Sequence, residues 1–160
     1  ADFLLLLEEL RSAMPEGTLL SVAAYPPPTR WQPHPEVHWE ESYFRKVAAR
    51  VDQIVPMMYD TSIRLSRPYC HLMTSWTQDI LTWSGKTQVL LGIPAYDDAG
   101  VGYHHPRVEN LQNAIHGIHA GLSRFPSLPS TYAGIAIYRE WEMDSAEWDT
   151  LKTEFEQNAQ

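Results

Sequence analysis

Four short apolar, β-like runs, each set apart from the next by a stretch with helical spacing, constrain this chain more than anything else in it. The runs cover 18–24, 51–58, 87–93 and 134–138, and their markers Leu19, Gln53, Val89 and Gly134 are 34, 36 and 45 residues apart. An interval of that size holds one strand, one helix and two connections, which is the period of a βα unit. The runs are nearly continuous in apolar residues rather than alternating, as expected of parallel strands covered by helices.

The intervening helices can be placed from their apolar spacing and their stops. Asp2 is a plausible N-cap for a helix over 3–14, which Pro15, Glu16 and Gly17 end. A second helix over 40–50 is spaced through Tyr43, Phe44, Val47 and Ala48. A third over 69–83 puts Leu72, Met73, Trp76, Ile80 and Trp83 on one face and ends at Gly85. A fourth spans 108–122, and Ser145 caps a last one. The expectation is one domain over 1–160: a single helix followed by four βα units.

Composition narrows the partners. The 160 residues are enough for one core, and 44% apolar against 20% charged residues makes the chain globular. A net charge of -8 argues against nucleic acid. No apolar run is long enough to span a membrane, because Glu8 and Glu9 interrupt the run that starts at Phe3. Cys70 is alone, so no internal disulfide or cysteine-rich zinc site is available, and it reads as a small buried hydrophobe. His104 and His105 are adjacent and His116 and His119 are three apart, but no acidic or cysteine partner follows at ligand spacing, so no metal or cofactor is expected.

Two parallel architectures accept such units. An open flavodoxin-like sheet would carry a ligand loop at a switch point, yet neither Gly-x-Gly-x-x-Gly nor Gly-x-x-x-x-Gly-Lys occurs. An eight-unit TIM barrel needs twice the strands present, which makes the chain half of one: α/β, (βα)4, four parallel strands after one helix. Either architecture builds its site at the carboxyl ends of strands, where Tyr59 and Asp60 directly follow the second run. Asp97 and Asp98 are adjacent and point apart on extended backbone, so a loop or capping role suits them better than a catalytic pair.

Three strand ends carry a resemblance. Met57-x-Tyr59-Asp60, then Gly92-x-Pro94-x-Tyr96, then 134–138 followed by Glu140-Trp141-Glu142-Met143-Asp144 resemble, in type and order, the sixth to eighth strands of a chitinase-like barrel of glycoside hydrolase family 18. The helix over 3–14 is similar to the one after that barrel's fourth strand, and 19–24 to its fifth strand. The resemblance implies that Tyr59 and Asp60 hold the substrate's 2-acetamido group, which serves as internal nucleophile in place of a second carboxylate. It also implies substrate-binding roles for Met57, Tyr96, Tyr138, Glu140 and Trp141, an amino-sugar oligosaccharide as ligand, and a secreted or surface-bound location. The family's general acid lies on the fourth strand, which would precede Ala1, and its tryptophan at the eighth strand is Tyr138 here. The chain is therefore expected to be inactive alone, a fragment or relic. Trp31, His34, His38 and Trp39 lie in a proline-rich loop over the barrel mouth, where they either stack on sugar or pack the loop.

Half a barrel has two free sheet edges and an open inner face, to which Met57 and Leu91 are assigned. Covering them with a second copy predicts a homodimer. The alternative to a sugar-related role is a structural one, a self-associating (βα)4 protein with no present ligand.

Overall fold

The structure is a computed structural model that describes residues 2–29, 37–98 and 103–158, with side chains as far as Glu154. Its elements follow in the order α1 (Asp2–Ala13), β1 (Ser21–Ala24), α2 (Glu41–Ala48), β2 (Gln53–Pro56), α3 (Ser66–Trp83), β3 (Gln88–Pro94), α4 (Leu111–Leu122), β4 (Tyr132–Tyr138) and α5 (Ser145–Asn158). The four strands form one parallel sheet in the order β1-β2-β3-β4. Strand order that never reverses, with the usual right-handed crossover, brings every helix to the same face, and Leu7, Phe44, Leu72, Ile115 and Leu151 of α1 to α5 do share one core. This is the winding of a barrel segment, not of a doubly wound sheet, and the chain is a (βα)4 half-barrel.

Parity along the strands separates the two faces. Ile54 and Met58 of the second unit and Val89, Leu91 and Ile93 of the third are fully buried, packed with Phe44, Leu72, Met73, Ile80, Leu111 and Ile115 from the helices. Residues of the other parity, Val55, Met57, Leu90, Gly134 and Ala136, are half-buried on the inner face. Leu91 therefore belongs to the helix-side core, and Leu90 takes the inner-face place expected of it. In a run such as Val89-Leu90-Leu91 every residue is apolar, so the sequence offers no alternation from which to read the face.

The helices pack in chain order, α1 against α2, α2 against α3 and α3 against α4. The last pair meets through glycines one turn apart. A Cβ on Gly117 would lie 2.5 Å from Met73 Cβ, and one on Gly121 would lie 2.7 Å from Thr77 Cβ. Thr74 spans the same seam, donating to Cys70 O at 2.8 Å and to Gly117 O at 3.1 Å.

Element ends follow local chemistry. The third helix begins at Ser66 rather than 69, because Pro68 lies in the first turn, where its missing N–H would have no intrahelical acceptor. The fourth begins at Leu111, with Asn110 Oδ1 accepting the Asn113 amide at 3.0 Å. The cap of α5 is Asp144 rather than Ser145: Asp144 Oδ1 accepts the Glu147 amide at 2.9 Å, and Glu147 Oε2 accepts the Asp144 amide at 3.1 Å, a reciprocal capping box.

Candidate functional site

The site is built where β2 ends. Pro56 closes the strand; Met58 turns into the helix-side core while Met57 and Tyr59 take the inner face. The backbone then turns sharply, with φ at 58° for both Asp60 and Ser62. The left-handed region is costly for residues with a Cβ and persists only where neighbours impose it. Three hydrogen bonds do so here. Tyr96 Oη donates to Asp60 Oδ1, the Thr61 amide donates to Glu109 Oε2 at 2.8 Å, and the Ser62 amide donates to Tyr103 O at 2.9 Å.

β3 delivers Tyr96 by a close approach to β2. A Cβ on Gly92 would lie 2.6 Å from Pro56 O, so no larger residue fits without moving backbone. At the next register Pro94 pairs with Tyr138 of β4, and the Ala95 amide donates to Tyr138 O at 2.7 Å. Three tyrosines from three strands thus meet. Tyr59 stacks on Tyr138 with centroids 4.9 Å apart and planes at 8°, and Tyr96 stands edge-on to Tyr59 at 6.5 Å and to Tyr138 at 5.6 Å. His104 stacks on Tyr96 at 3.9 Å. The Arg139 guanidinium lies 4.9 Å from the Tyr96 centroid and 5.5 Å from that of Tyr138, and it pairs with Glu142 at 3.0 Å and Asp98 at 3.6 Å.

Beside this cluster, a cleft of about 600 Å³ opens over the carboxyl ends of β1 and β2. Tyr25 and Pro26 line it from β1, Met57, Tyr59, Asp60, Thr61 and Ser62 from β2, and Val37, His38, Trp76 and Tyr103 complete its wall. Trp76 is fixed there by its indole N–H, which donates to Pro27 O at 2.7 Å. Among the described residues Asp60 is the one carboxylate in a lining that is otherwise mostly aromatic and apolar, with His38, Thr61 and Ser62 adding polar groups.

Burial sets the protonation of the groups around Asp60. It pushes the Tyr59 phenol up to about 12, helped by Tyr138 and Asp60. Burial, and then donation to Asp60, raises the Tyr96 phenol further still. Both phenols are therefore donors at neutral pH. Burial also brings the Glu109 carboxyl up to about 7 against the opposing hydrogen bonds from Thr61, and it lowers His104 from its ordinary value.

Of the residues singled out in the sequence, Met57, Tyr59 and Asp60 line the cleft, and Tyr96 and Tyr138 join them through Asp60 and the ring stack. Glu140 and Trp141 sit on a 3-10 turn after β4; Trp141 is 70% exposed and takes no part in the ring contacts that join the three tyrosines. Trp39 packs against Phe3, Tyr25 and Tyr43, so it serves the loop, whereas His38 is buried beside Trp76 and faces the cleft. Trp31 and His34 lie outside the described residues. Asp97 and Asp98 are exposed, and His119 pairs with Glu154 at 3.3 Å. Sequence reasoning missed Glu109, and it considered His104 only as a metal edge. The available signal was a carboxylate between Val108 and Asn110 at the entry to an apolar helix.

No protein-family model, curated protein or solved structure matches the chain.

Proposed function

We propose that the chain is the carboxyl-terminal half of a chitinase-like barrel and that its strand-end cleft binds amino-sugar oligosaccharides through their 2-acetamido groups. One observation carries the reading: Asp60, locked by Tyr96 and by its left-handed backbone, faces an aromatic cleft at the carboxyl ends of parallel strands. An acetamido group offers an N–H donor, a carbonyl acceptor and a methyl. The Asp60 carboxylate suits the N–H, the Tyr59 hydroxyl suits the carbonyl, and Met57 and Trp76 supply an apolar wall for the methyl.

The reading makes this chain a binder rather than a hydrolase by itself. Asp98 is paired with Arg139, Glu109 is buried and does not line the cleft, and Asp60 is assigned to the acetamido group. Asp60 is the one carboxylate among the described residues that line the cleft, so no carboxyl there is left to protonate a leaving group, a step worth roughly 10²–10⁴ in rate.

Isothermal titration with tri-N-acetylchitotriose tests the proposal. Wild type is expected to bind, and Asp60→Asn to weaken binding by about tenfold or more, since a hydrogen bond to a charged acceptor contributes about 1.5–3 kcal/mol. Wild type that takes up no heat at millimolar sugar would remove the reading.

A second reading is favoured by the open edges of β1 and β4 and the half-buried inner face through Val55, Met57 and Leu90. Edges and faces of that kind template association, so a homodimer is the corresponding proposal. Light scattering that gives a monomer mass at micromolar concentration would eliminate it.

A further inference from the structure

Behind Asp60, the connection from β3 to α4 contributes two ionisable side chains that the glycan reading leaves without a task. The side chains of His104 and Glu109 are both 0% exposed. His104 Nε2 lies 2.9 Å from Tyr96 O. A carbonyl only accepts, so Nε2 carries the hydrogen and Nδ1 is left to face the carboxylates. Nδ1 is 3.7 Å from Asp60 Oδ1 and 3.8 Å from Glu109 Oε2, and it is buried with no hydrogen-bond partner among the described residues. Glu109 Oε2 accepts the Thr61 amide, while its Oε1 is also buried and unpartnered.

The surroundings leave the pair few stable charge states. Asp60 faces it from the end of β2 and Tyr96 from β3; Tyr69 of α3 adds a buried hydroxyl with no hydrogen-bond partner among the described residues. Asp97 and His105 act on His104 from the same connection, and the nearby Arg139 is engaged by Glu142 and Asp98. With no proton on the pair, an imidazole lone pair would sit between two anions, and Glu109 would be a buried carboxylate held by hydrogen bonds from Thr61 and the His105 backbone but facing the Asp60 charge with no counter-ion among the described residues. One proton removes both difficulties. It sits either on Nδ1, pointing at the two carboxylates, or on Glu109, and the net charge is the same in each case.

We infer that His104 and Glu109 share one proton at neutral pH, and that through it they act as positioning residues that hold Asp60 and Thr61 in their strand-end geometry. Burial raises the affinity of Glu109 for that proton and lowers that of His104, in keeping with a proton that resides mostly on the glutamate. As the pH rises and the proton leaves, Glu109 keeps the Thr61 amide but becomes a second buried anion facing Asp60, and repulsion between the two carboxylates displaces the left-handed turn over 60–62. Only the consequence for sugar rests on the glycan reading; the shared proton does not.

The test uses the full chain with isotope-labelled histidine and glutamate, following the His104 ring nitrogens and the Glu109 carboxyl carbon by NMR over a pH series. The expected result is a single step above the ordinary carboxyl range in which both signals move together, with Nε2 protonated throughout. Glu109→Gln keeps an oxygen for the Thr61 amide but cannot share a proton, so it should remove the step from the His104 signals. His104 titrating independently of a Glu109 that stays ionised from mildly acidic pH upward would overturn the inference. Tri-N-acetylchitotriose affinity is then measured across the same series. Wild-type affinity should fall severalfold through the step, and that of Glu109→Gln should stay flat. Coupled titration without any sugar binding would refute the glycan reading alone, whereas sugar binding with independent titrations would refute the shared proton alone.

Discussion

Replacing Gly92 with alanine probes the contact that lets β2 and β3 converge beneath the site. The new Cβ would stand 2.6 Å from Pro56 O, with Pro56 C at 3.4 Å and Met57 Cα at 3.5 Å. All three are backbone atoms, so no flexible side chain can swing away and the strands themselves must separate. Forcing an extra carbon into packed structure costs about 1–3 kcal/mol. Separation also stretches the bond from the Met58 amide to Gly92 O, now 2.9 Å long, whose loss adds about 1 kcal/mol. Against this, alanine restricts the unfolded chain and returns about 0.4–1 kcal/mol. The balance is a destabilisation of about 2 kcal/mol, equivalent to a drop in melting temperature of about 4–8 °C for a chain of this length. Urea denaturation with paired fluorescence and circular dichroism measures it, and the near-ultraviolet signal of the Tyr59, Tyr96 and Tyr138 cluster should change as well. A loss below about 0.5 kcal/mol with an unchanged tyrosine signal would refute the close approach and, with it, the reason for glycine in Gly92-x-Pro94-x-Tyr96.

Two further outcomes concern the frame around the site. Asp144→Ala removes the acceptor for the Glu147 amide and should destabilise the chain by about 1 kcal/mol, read as a lower urea midpoint; an unchanged midpoint would show that the α5 cap contributes nothing. The Leu20 amide, and then Arg11, hold the Asp52 carboxyl below its ordinary value. Its contribution is therefore present above the ordinary aspartate pKa and lost as pH falls through the depressed one. Asp52→Asn should flatten that acid limb of the stability profile, an effect that salt weakens because Arg11 and Asp52 are part-exposed. An identical acid limb in the variant would disprove the assignment.

Much of the frame was legible in the sequence because it depends on local periodicity. Four apolar runs and the spaced helices between them became β1 to β4 and α1 to α5, with shifts only at ends that individual residues decide, such as Pro68 and Asp144. Met57, Tyr59 and Asp60 were legible because they sit at a strand end. The buried half of the cluster was not, since its contacts cross the chain: Thr61 meets Glu109 across 48 residues and Asp60 meets Tyr96 across 36. The neighbours of Glu109 mark a carboxylate at the entry to an apolar helix, but they do not point to Thr61 as its partner. The inner-face residue was misplaced by one position for a related reason, because Leu90 and Leu91 are the same residue type and only the register with β4, Leu90 to Gly134, separates them.

The proposed recognition of an acetamido group by Tyr59 and Asp60 is open to saturation-transfer NMR. Tri-N-acetylchitotriose and cellotriose are offered to the wild-type chain under the same conditions. Saturation is expected of the N-acetylated sugar only, strongest at the acetamido methyl, and lost in Asp60→Asn. Equal saturation of both sugars, or an acetamido methyl no stronger than the ring protons, would contradict it.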